Sequence, residues 1–394
     1  MNEFDPNDPL ASSPTEPAPA PAPAPLHQHE PDPGIRFDPV PTPAIRLEPP
    51  PRPAPPALAA WGEPAAPPPP PPPPPAPTTP VADWAARVMG EINKVFIGQD
   101  QLVRGVLLAL LADGHVLIES VPGLGKTLLV RALGRVLGCV FNRIQFTPDL
   151  MPSDVTGSPI YDESIHDFRF RPGPVFAQLL LADEINRAPA KTHSALLEIM
   201  QEARVTIDGT AHPLEKPFLV MATQNPIESE GTYNLPEAQL DRFLFKLMAD
   251  YPGAAEETDI LRLHTKGQSP ETILAADLRT ITSPAEVIEA QRHCAAVFVD
   301  DRILDYITAL VRKTREWPSF ALGASPRAGV AILRGARAAA ALEGRAFAVP
   351  DDVQEVALPA LRHRVILTPE AEVEGRAPDD LLSEMIRSLE VPRR

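Results

Sequence analysis

Residues 120–127 have the residue types and spacing that bind a polyphosphate. The segment reads Ser-Val-Pro-Gly-Leu-Gly-Lys-Thr, and it lies between an apolar run with β character at 116–118 and helical spacing from residue 128 onward. In such a strand–loop–helix the backbone N–H groups and the positive helix end bind phosphate oxygens. We expect Lys126 to reach the β- and γ-phosphates of a nucleotide and the Thr127 hydroxyl to bind Mg²⁺.

This segment departs from the full P-loop pattern at Ser120, where a glycine is usual. An ordinary turn between a strand and a helix is the alternative interpretation of the segment taken alone. Apolar residues upstream of such a strand often line an adenine pocket, so Ile97 and Gly98 are candidates, with simple packing as the alternative. The candidate nucleotide-binding residues are Ile97, Gly98, Ser120, Val121, Pro122, Gly123, Leu124, Gly125, Lys126, Thr127 and Leu128.

A second chemical signal is the acidic pair Asp183 and Glu184, which ends the apolar run 179–182. Such a run predicts a buried parallel strand whose carboxyl end enters a site. Asp183 is the candidate Mg²⁺ ligand, mostly through water, together with Thr127. Glu184 is the candidate that takes a proton from, or orients, the water attacking the γ-phosphate. Capping of the next helix is the alternative, and the P-loop pattern upstream makes it the weaker one.

Three further polar residues could contact a γ-phosphate. Asn225 follows the apolar strand 218–222, and its amide can both donate to phosphate and accept from water. Arg242 lies in 240–243, which we interpret as the start of a fifth strand, and it could form a structural ion pair or be a finger for a neighbouring subunit's phosphate. Arg327 follows a Ser-Pro pair in a predicted first helical turn, where a cation is tolerated if it faces an anion. The candidate catalytic residues are Glu184, Asn225, Arg242 and Arg327.

Other reactive side chains have simpler explanations. Asp149 and Asp154 could suggest a metal site, but turn and helix-capping roles explain them more simply. Cys139 and Cys294 lie far apart without metal-ligand spacing, so we expect reduced, structural thiols in an intracellular protein. The longest apolar run, 106–112, is too short to span a bilayer, which predicts a soluble, cytoplasmic protein.

Composition separates residues 1–82 from the rest of the chain. More than half of the 52 prolines precede residue 81, including the unbroken run 67–75. Such a segment cannot form hydrogen-bond ladders and has few apolar side chains to offset its ordering entropy, which predicts a disordered tail. A solvated tether and a ligand for a proline-binding partner are both open. The formal net charge of −16 disfavours non-specific nucleic-acid binding.

Two domains are predicted to position the candidate residues. From 83 to 252, helical spacing alternates with apolar strands, which indicates an α/β P-loop core around a parallel five-stranded sheet. Hairpins are predicted around 160–170 and at a turn formed by Asp208 and Gly209. From 253 to 394 the pattern is wholly helical, which predicts an all-α lid domain.

With these residues in place, the chain resembles the MoxR family of AAA+ ATPases over about residues 83–370. The resemblance implies an ASCE-type core with a helical lid, and rings, usually hexamers, that bind ATP with Mg²⁺ between subunits. The runs that support it are Phe146–Asp154, Ala182–Lys191, Ala222–Ile227 and Leu235–Phe243. The implied roles are Walker A for Lys126 and Thr127, Walker B for Asp183 and Glu184, sensor 1 for Asn225, arginine finger for Arg242 and sensor 2 for Arg327.

The resemblance extends to two insertions, since residues 158–172 look like the helix-2 insert and 204–217 like the pre-sensor hairpin of this clade. Magnesium-chelatase ATPase subunits share these insertions. Family members are regarded as chaperone-like, acting on proteins with von Willebrand factor A domains and on the assembly of metal cofactors or complexes. The proline-rich tail lies outside the resemblance.

Three functions are compatible with these observations. The first is a ring-forming ATPase that remodels a protein client. The second, a nucleotide-binding scaffold with little turnover, is disfavoured because a scaffold does not need the water-activating acid Glu184. The third, a nucleic-acid motor, is disfavoured by the mixed charge of the hairpin at 204–216. We expect ATP, further copies of the chain and a protein client as partners, and neither nucleic acid nor a membrane span.

Overall fold

The computed structural model describes residues 79–121, 123–164, 166–225, 233, 235–265, 272, 274, 276 and 278–392. Three sequence predictions fall partly outside these described residues. They concern the tail up to residue 78, Pro122 of the P-loop, and the end of the family-like run at 226–227. Within the described part, the predicted α/β core with a parallel five-stranded sheet and a helical lid is confirmed.

The strands and helices follow one another along the chain with few long connections. The strands are β1 (Val116–Ser120), β2 (Phe141–Gln145), β3 (Gly157–Asp162), β4 (Asp167–Pro172), β5 (Leu179–Asp183), β6 (Arg204–Ile207), β7 (Thr210–Pro213), β8 (Leu219–Gln224), β9 (Phe245–Ala249), β10 (Phe320–Leu322) and β11 (Ile366–Leu367). The helices are α1 (Pro80–Ile92), α2 (Asp100–Leu111), α3 (Lys126–Leu137), α4 (Pro152–Thr156), α5 (Ala190–Glu202), α6 (Glu237–Leu240), α7 (Ala254–Thr265), α8 (Pro284–Ala295), α9 (Asp301–Glu316), α10 (Pro326–Leu342), α11 (Pro350–Leu361), α12 (Pro369–Val373) and α13 (Pro378–Ser388).

The central sheet has the strand order β2-β5-β8-β1-β9, and every pairing in it is parallel. All carboxyl ends therefore meet at one side, which we call the carboxyl edge, and all amino ends meet at the opposite amino edge. In open α/β sheets, ligands bind at the carboxyl edge. This strand order places the ends of β1, β8 and β5 side by side there.

The middle of the sheet is buried on both faces, which explains the continuous apolar run in β5. Leu179 and Leu181 pack into the apolar cluster that contains α1, α2 and α3. Leu180 and Ala182 pack into a second cluster on the opposite face, against α5. Because Asp183 continues the alternation, it shares a face with Leu181 and therefore with the helix that follows the P-loop.

The prediction that residues 240–243 begin the fifth strand is wrong. The preceding segment forms the short helix α6, Arg242 lies in the turn after it, and β9 begins at Phe245. Glu237 in the first turn favours a helix start, because a negative charge there interacts with the positive end of the helix dipole.

The prediction of a wholly helical lid also needs a correction. β10 and β11 pair as a small antiparallel sheet between helices. Segments of three and two residues are too short to show the alternation that indicates a strand. The helical pattern predicted from residue 253 onward is otherwise confirmed by the described helices from α7 to α13.

Both predicted hairpins are present, as β3–β4 and β6–β7. Asp208 and Gly209 form the two-residue turn of the second hairpin with φ of +48° and +77°, as a twisted hairpin turn requires. The capping role of Asp154 is confirmed, because its Oδ2 accepts from the Met151 N–H at 2.8 Å. For Asp149, a hydrogen bond from the Thr147 hydroxyl lowers the pKa of the carboxyl.

The two cysteines are buried, free thiols, which agrees with a structural role. Burial raises the pKa of both Cys139 and Cys294 to about 12. Among the described residues, no helix has the length and hydropathy needed to cross a bilayer.

Candidate functional site

The P-loop joins β1 to α3 at the carboxyl edge. Gly123 and Gly125 have φ of +89° and +73°, in the left-handed region that side chains disfavour. A Cβ on Gly125 would also lie 3.3 Å from the ring of Phe96. Since Gly125 caps α3, the loop backbone leads directly into the N–H groups of the first helical turn, an arrangement that suits phosphate oxygens.

Ser120 contacts the P-loop lysine. The Lys126 ammonium donates to the Ser120 hydroxyl at an Nζ–Oγ distance of 2.8 Å. Ser120 itself is buried at the end of β1. A polar residue at the position where glycine is usual is therefore compatible with the loop and contacts its cation.

Asp183 is held at the end of β5 by two neighbouring strands. The Thr223 hydroxyl of β8 donates to Asp183 Oδ1 at 2.6 Å, and Arg143 of β2 donates to Oδ2 from Nη2 at 2.6 Å. The Thr223 hydroxyl also accepts from the Glu184 N–H at 2.9 Å. Thr223 is fully buried, so it fixes both acidic residues from within the sheet.

Glu184 adopts an unusual backbone conformation, with φ of +54° and ψ of +50°. A residue other than glycine in this region costs of order 1–3 kcal/mol, and such strain concentrates at functional sites. The Gln145 amide donates to Glu184 Oε2 at 2.7 Å, and Arg187 Nε lies 3.2 Å from the same oxygen. The carboxylate is thereby oriented by β2 on one side and by the turn after β5 on the other.

Asn225 and the upstream candidates also lie near the P-loop. Asn225 is buried directly after β8, which runs between β5 and β1, so it lies between the acidic pair and the loop. Gly98 has φ of +81°, and a Cβ there would lie 2.7 Å from the side chain of Glu256 in α7. Since neighbouring Phe96 packs on Gly125, Ile97 and Gly98 lie between the P-loop and α7.

The two candidate arginines lie at the amino edge instead. Arg242 precedes β9, and the Leu244 N–H, one residue before β9, donates at 2.8 Å to the O atom of His115, one residue before β1. Arg242 and Arg327 line one cavity of about 520 Å³, together with Lys216. The five residues of β1 and its neighbours separate this cavity from the P-loop of the same chain by roughly 15 Å or more. The structure therefore brings the two arginines together but not with the other candidates.

Neither arginine forms an ion pair with a described residue. The structural ion pair considered for Arg242 is made instead by Arg364, whose Nε lies 2.6 Å from Asp241 Oδ1. The Arg364 side chain is 3% exposed and also donates to the backbone oxygens of Asp241 and Phe243. Arg242 is only half-buried, so its guanidinium can contact a second molecule.

Sequence reasoning missed Arg143, Gln145 and Thr223, which all contact the acidic pair. Arg143 and Gln145 alternate along β2, and their polarity beside a buried strand was the available signal. Thr223 gave no signal, because a threonine is an ordinary strand residue. Only the register of β8 against β5 shows that its hydroxyl reaches Asp183.

The residues at the carboxyl edge fit a magnesium–nucleotide complex. The Thr127 hydroxyl and the Asp183 carboxylate are the hard oxygen donors that Mg²⁺ prefers. The left-handed glycines leave the loop backbone open to close approach, and Lys126 supplies a cation.

Comparison with known proteins places this geometry in a family. The model of the ATPase family associated with various cellular activities, of the AAA_3 type, matches residues 115–245, and the AAA lid domain model matches 312–385. Chaperone MoxR1 of Mycobacterium tuberculosis is 44% identical over 318 residues, which cover 78% of this chain and 82% of MoxR1. The chain belongs to the MoxR family of AAA+ ATPases.

Other relatives agree with this membership. The uncharacterized protein YeaC of Bacillus subtilis is 49% identical over 306 residues, covering 78% of this chain and 94% of YeaC. A crystal structure from Cytophaga hutchinsonii, described as a candidate ATPase, has a TM-score of 0.73 and 39% identity, covering 79% of this chain and 96% of that one. A more distant relative of this MoxR-family chain is the magnesium-chelatase 38 kDa subunit of Chlorobaculum parvum, at 26% identity.

Proposed function

We propose that the chain hydrolyses ATP with Mg²⁺ at the interfaces of a ring, usually a hexamer in this family, and uses the cycle to remodel or assemble protein clients. Membership of the MoxR family supports nucleotide binding and a chaperone-like role in general. The observation that favours interfaces is the division of the candidate residues between two edges of one sheet. A site assembled from two subunits would join the carboxyl edge of one to the amino edge of the next.

At the carboxyl edge, the chain's own groups would bind and orient the nucleotide. The N–H groups from Gly123 to Thr127 would hold the phosphates, and Lys126 would neutralise charge on the β- and γ-oxygens. The Thr127 hydroxyl and Asp183 would hold the metal ion. When bound, Mg²⁺ supplies positive charge that stabilises the transferring phosphoryl group.

Two residues at the same edge would act on the attacking water. Glu184 would orient this water or accept its proton, and Asn225 would contact the γ-phosphate and the water together. Thr223 fixes the position of both acids, because one buried hydroxyl contacts Asp183 Oδ1 and the Glu184 N–H. The backbone strain at Glu184 fits a residue held in place for catalysis.

At the amino edge, Arg242 and Arg327 would stabilise the negative charge of a neighbouring subunit's γ-phosphate. Arg242 is the proposed finger, because it is half-buried, lines the cavity and forms no ion pair with a described residue. A planar, permanently charged guanidinium suits the spreading charge of phosphoryl transfer. Both arginines would therefore act in trans.

The client and the location in the cell belong to the same proposal. The similarity to chaperone MoxR1 supports a protein client. The family resemblance favours clients with von Willebrand factor A domains. The chain would act on them in the cytoplasm. The proposed division of labour assigns residues 1–82 to a tail, 83–252 to the ATPase core and 253–394 to the lid.

The test is steady-state ATP turnover of the full chain across a range of protein concentrations, with Glu184→Gln alongside. We expect the turnover per chain to rise with concentration, because the site needs two subunits, and to vanish in the variant. A wild type that binds ATP but turns over no faster than Glu184→Gln at any concentration would contradict hydrolysis. Full turnover at concentrations where the chain is monomeric would contradict a shared site.

A further inference from the structure

Arg143 contacts the carboxylate that the proposed function assigns to Mg²⁺. Its Nη2 and Nε lie 2.6 Å and 3.2 Å from Asp183 Oδ2. The Thr223 hydroxyl takes the other oxygen, Oδ1, at 2.6 Å. Both oxygens of Asp183 are therefore engaged by groups of the same chain.

The position of Arg143 on β2 explains this contact. Gln145 lies opposite Asp183 in the parallel register, and Arg143 lies two residues earlier on the same face. A long arginine side chain spans that offset along the strand. Arg143 Nη2 also donates to Gln145 Oε1 at 2.6 Å, and the Gln145 amide donates to Glu184. One cation thus connects to both acidic residues.

Arg143 and Asp183 differ in solvent exposure, and this difference determines which of the two side chains can leave the ion pair. The Asp183 side chain is 11% exposed, and the Arg143 side chain is 46% exposed. A nearly buried carboxylate needs a counter-charge, and no other Lys or Arg of the described residues forms an ion pair with Asp183. Arg143 can nevertheless move into solvent, because almost half of its side chain already contacts water.

Mg²⁺ and the guanidinium would compete for the same negative charge. Two cations at one carboxylate oxygen repel each other, and the repulsion is strong where solvent is largely excluded. Asp183 can serve the metal fully only if Arg143 leaves Oδ2 or shifts away from it. The contact therefore opposes metal binding by the free energy needed to break it.

We propose that Arg143 is a counter-ion of Asp183 that competes with Mg²⁺ and so sets the Mg²⁺ concentration at which the site binds nucleotide. This inference rests on the proposed function, because it concerns the same metal position. It makes Arg143 a positioning residue for Asp183. The two interactions are linked: binding of Mg²⁺ with nucleotide weakens the Arg143–Asp183 contact, and this contact lowers the affinity for Mg²⁺ by the same factor.

The test measures binding of a fluorescent, non-hydrolysable ATP analogue to the full chain while free Mg²⁺ is raised from an EDTA-buffered baseline. Arg143→Gln removes the competing charge, so the Mg²⁺ concentration at half-maximal affinity should fall about three- to tenfold, the effect of breaking a partly exposed ion pair. Arg143→Lys keeps the charge but loses the two-nitrogen contact, so its midpoint should fall less.

Arg292→Gln is the matched control. Arg292 forms an exposed ion pair with Glu289 at 3.1 Å within α8, so the variant loses the same charge and the same kind of contact elsewhere. Its Mg²⁺ midpoint should equal that of the wild type. Thermal unfolding in EDTA without nucleotide checks the fold of each variant, and Arg143→Lys provides the same comparison if Arg143→Gln does not fold.

Three results would contradict either the inference about Arg143 or the proposed function. An unchanged Mg²⁺ midpoint in both Arg143 variants would overturn the inference and leave the proposed function intact. A raised midpoint would also overturn it, because Arg143 would then assist binding of the Mg²⁺·nucleotide complex. A wild type that binds no nucleotide at any Mg²⁺ concentration would overturn the proposed function itself.

Discussion

The carboxyl and amino edges of the central sheet differ in whether their charged side chains are paired within the chain. At the carboxyl edge, the candidate charges contact polar groups of the same chain: Lys126 contacts Ser120, Asp183 contacts Arg143, and Glu184 contacts Gln145. At the amino edge, Arg242 and Arg327 line a cavity and form no ion pair with a described residue.

This difference indicates which edge can act alone. At the carboxyl edge, Lys126, Asp183 and Glu184 are each held by a contact with a group of the same chain, and the proposed function assigns a magnesium–nucleotide complex to this edge. The amino edge offers cations without a described counter-charge, on a surface that faces away from the chain's own P-loop. Under the proposed function, one edge binds the nucleotide and the other completes the site of the next subunit.

The largest expected effect separates two arginines of the amino edge. Arg242→Gln should lower ATP turnover by about 10³-fold, because an arginine finger acts on the transition state, and should leave nucleotide affinity and unfolding temperature near wild type. Arg364→Gln should instead destabilise the fold by about 3 kcal/mol, because it leaves Asp241 without its buried partner. Turnover, nucleotide binding and denaturant unfolding of both variants check this. Equal loss of turnover and stability in Arg242→Gln would contradict the finger role.

The corresponding substitution at the carboxyl edge should affect binding itself. Lys126→Gln removes charge-assisted hydrogen bonds to phosphate, so nucleotide affinity should fall about 10- to 100-fold. Equilibrium binding of a fluorescent ATP analogue measures it. Lys191→Gln, an exposed lysine on α5, is the matched control and should bind as the wild type does. Unchanged affinity in Lys126→Gln would remove the P-loop assignment.

A smaller effect is expected from Thr223→Val, which keeps the shape of the side chain and deletes its hydroxyl. Asp183 Oδ1 and the Glu184 N–H would each lose a partner. We therefore expect Mg²⁺-dependent turnover to fall about tenfold. Titration of turnover against Mg²⁺ measures it. Wild-type behaviour would show that neighbouring contacts hold the acidic pair without Thr223.

A gradual effect of pH on stability is expected from the buried histidines that support the amino edge. Burial lowers the pKa of His115, which accepts from the Val220 N–H through Nδ1, and that of His363, beside the Arg364 charge. Below pH 6.5 the unfolded chain binds protons that the folded chain does not, so stability should fall with decreasing pH by up to about 1.4 kcal/mol per unit for each histidine. Denaturant unfolding between pH 7.5 and 5.5 measures this slope. His115→Gln should be less pH-dependent, and an unchanged slope would contradict the assignment.

Long motifs and buried strands were predictable from the sequence because their signals are local. The apolar run ending in Asp183 requires a strand, and Gly123 and Gly125 require a left-handed loop. The start of β9 was misplaced because the apolar run that enters β9 begins at Phe243, before the strand itself, and directly follows the turn after α6. A local pattern also explains why the capping role of Asp154 was anticipated.

Contacts between side chains on different strands could not be predicted from the sequence, because they depend on the register in which the strands pair. Arg143 and Thr223 reach Asp183 only through the parallel pairing of β2 and β8 with β5. The separation of Arg327 from the P-loop likewise follows from where α10 packs, and a first-turn position cannot specify that. The candidate residues could therefore be named from the sequence, whereas their division between the two edges of the sheet could not.

The most direct test of a site shared between subunits mixes two inactive variants. Lys126→Gln chains lack a working P-loop, and Arg242→Gln chains lack the finger, so each alone should be nearly inactive. If the sites are shared, random 1:1 mixing followed by subunit exchange should restore about a quarter of wild-type turnover, since half of the P-loops are intact and half of those meet an intact Arg242. Mixtures no more active than the two variants measured separately would show that Arg242 and Lys126 must belong to the same chain.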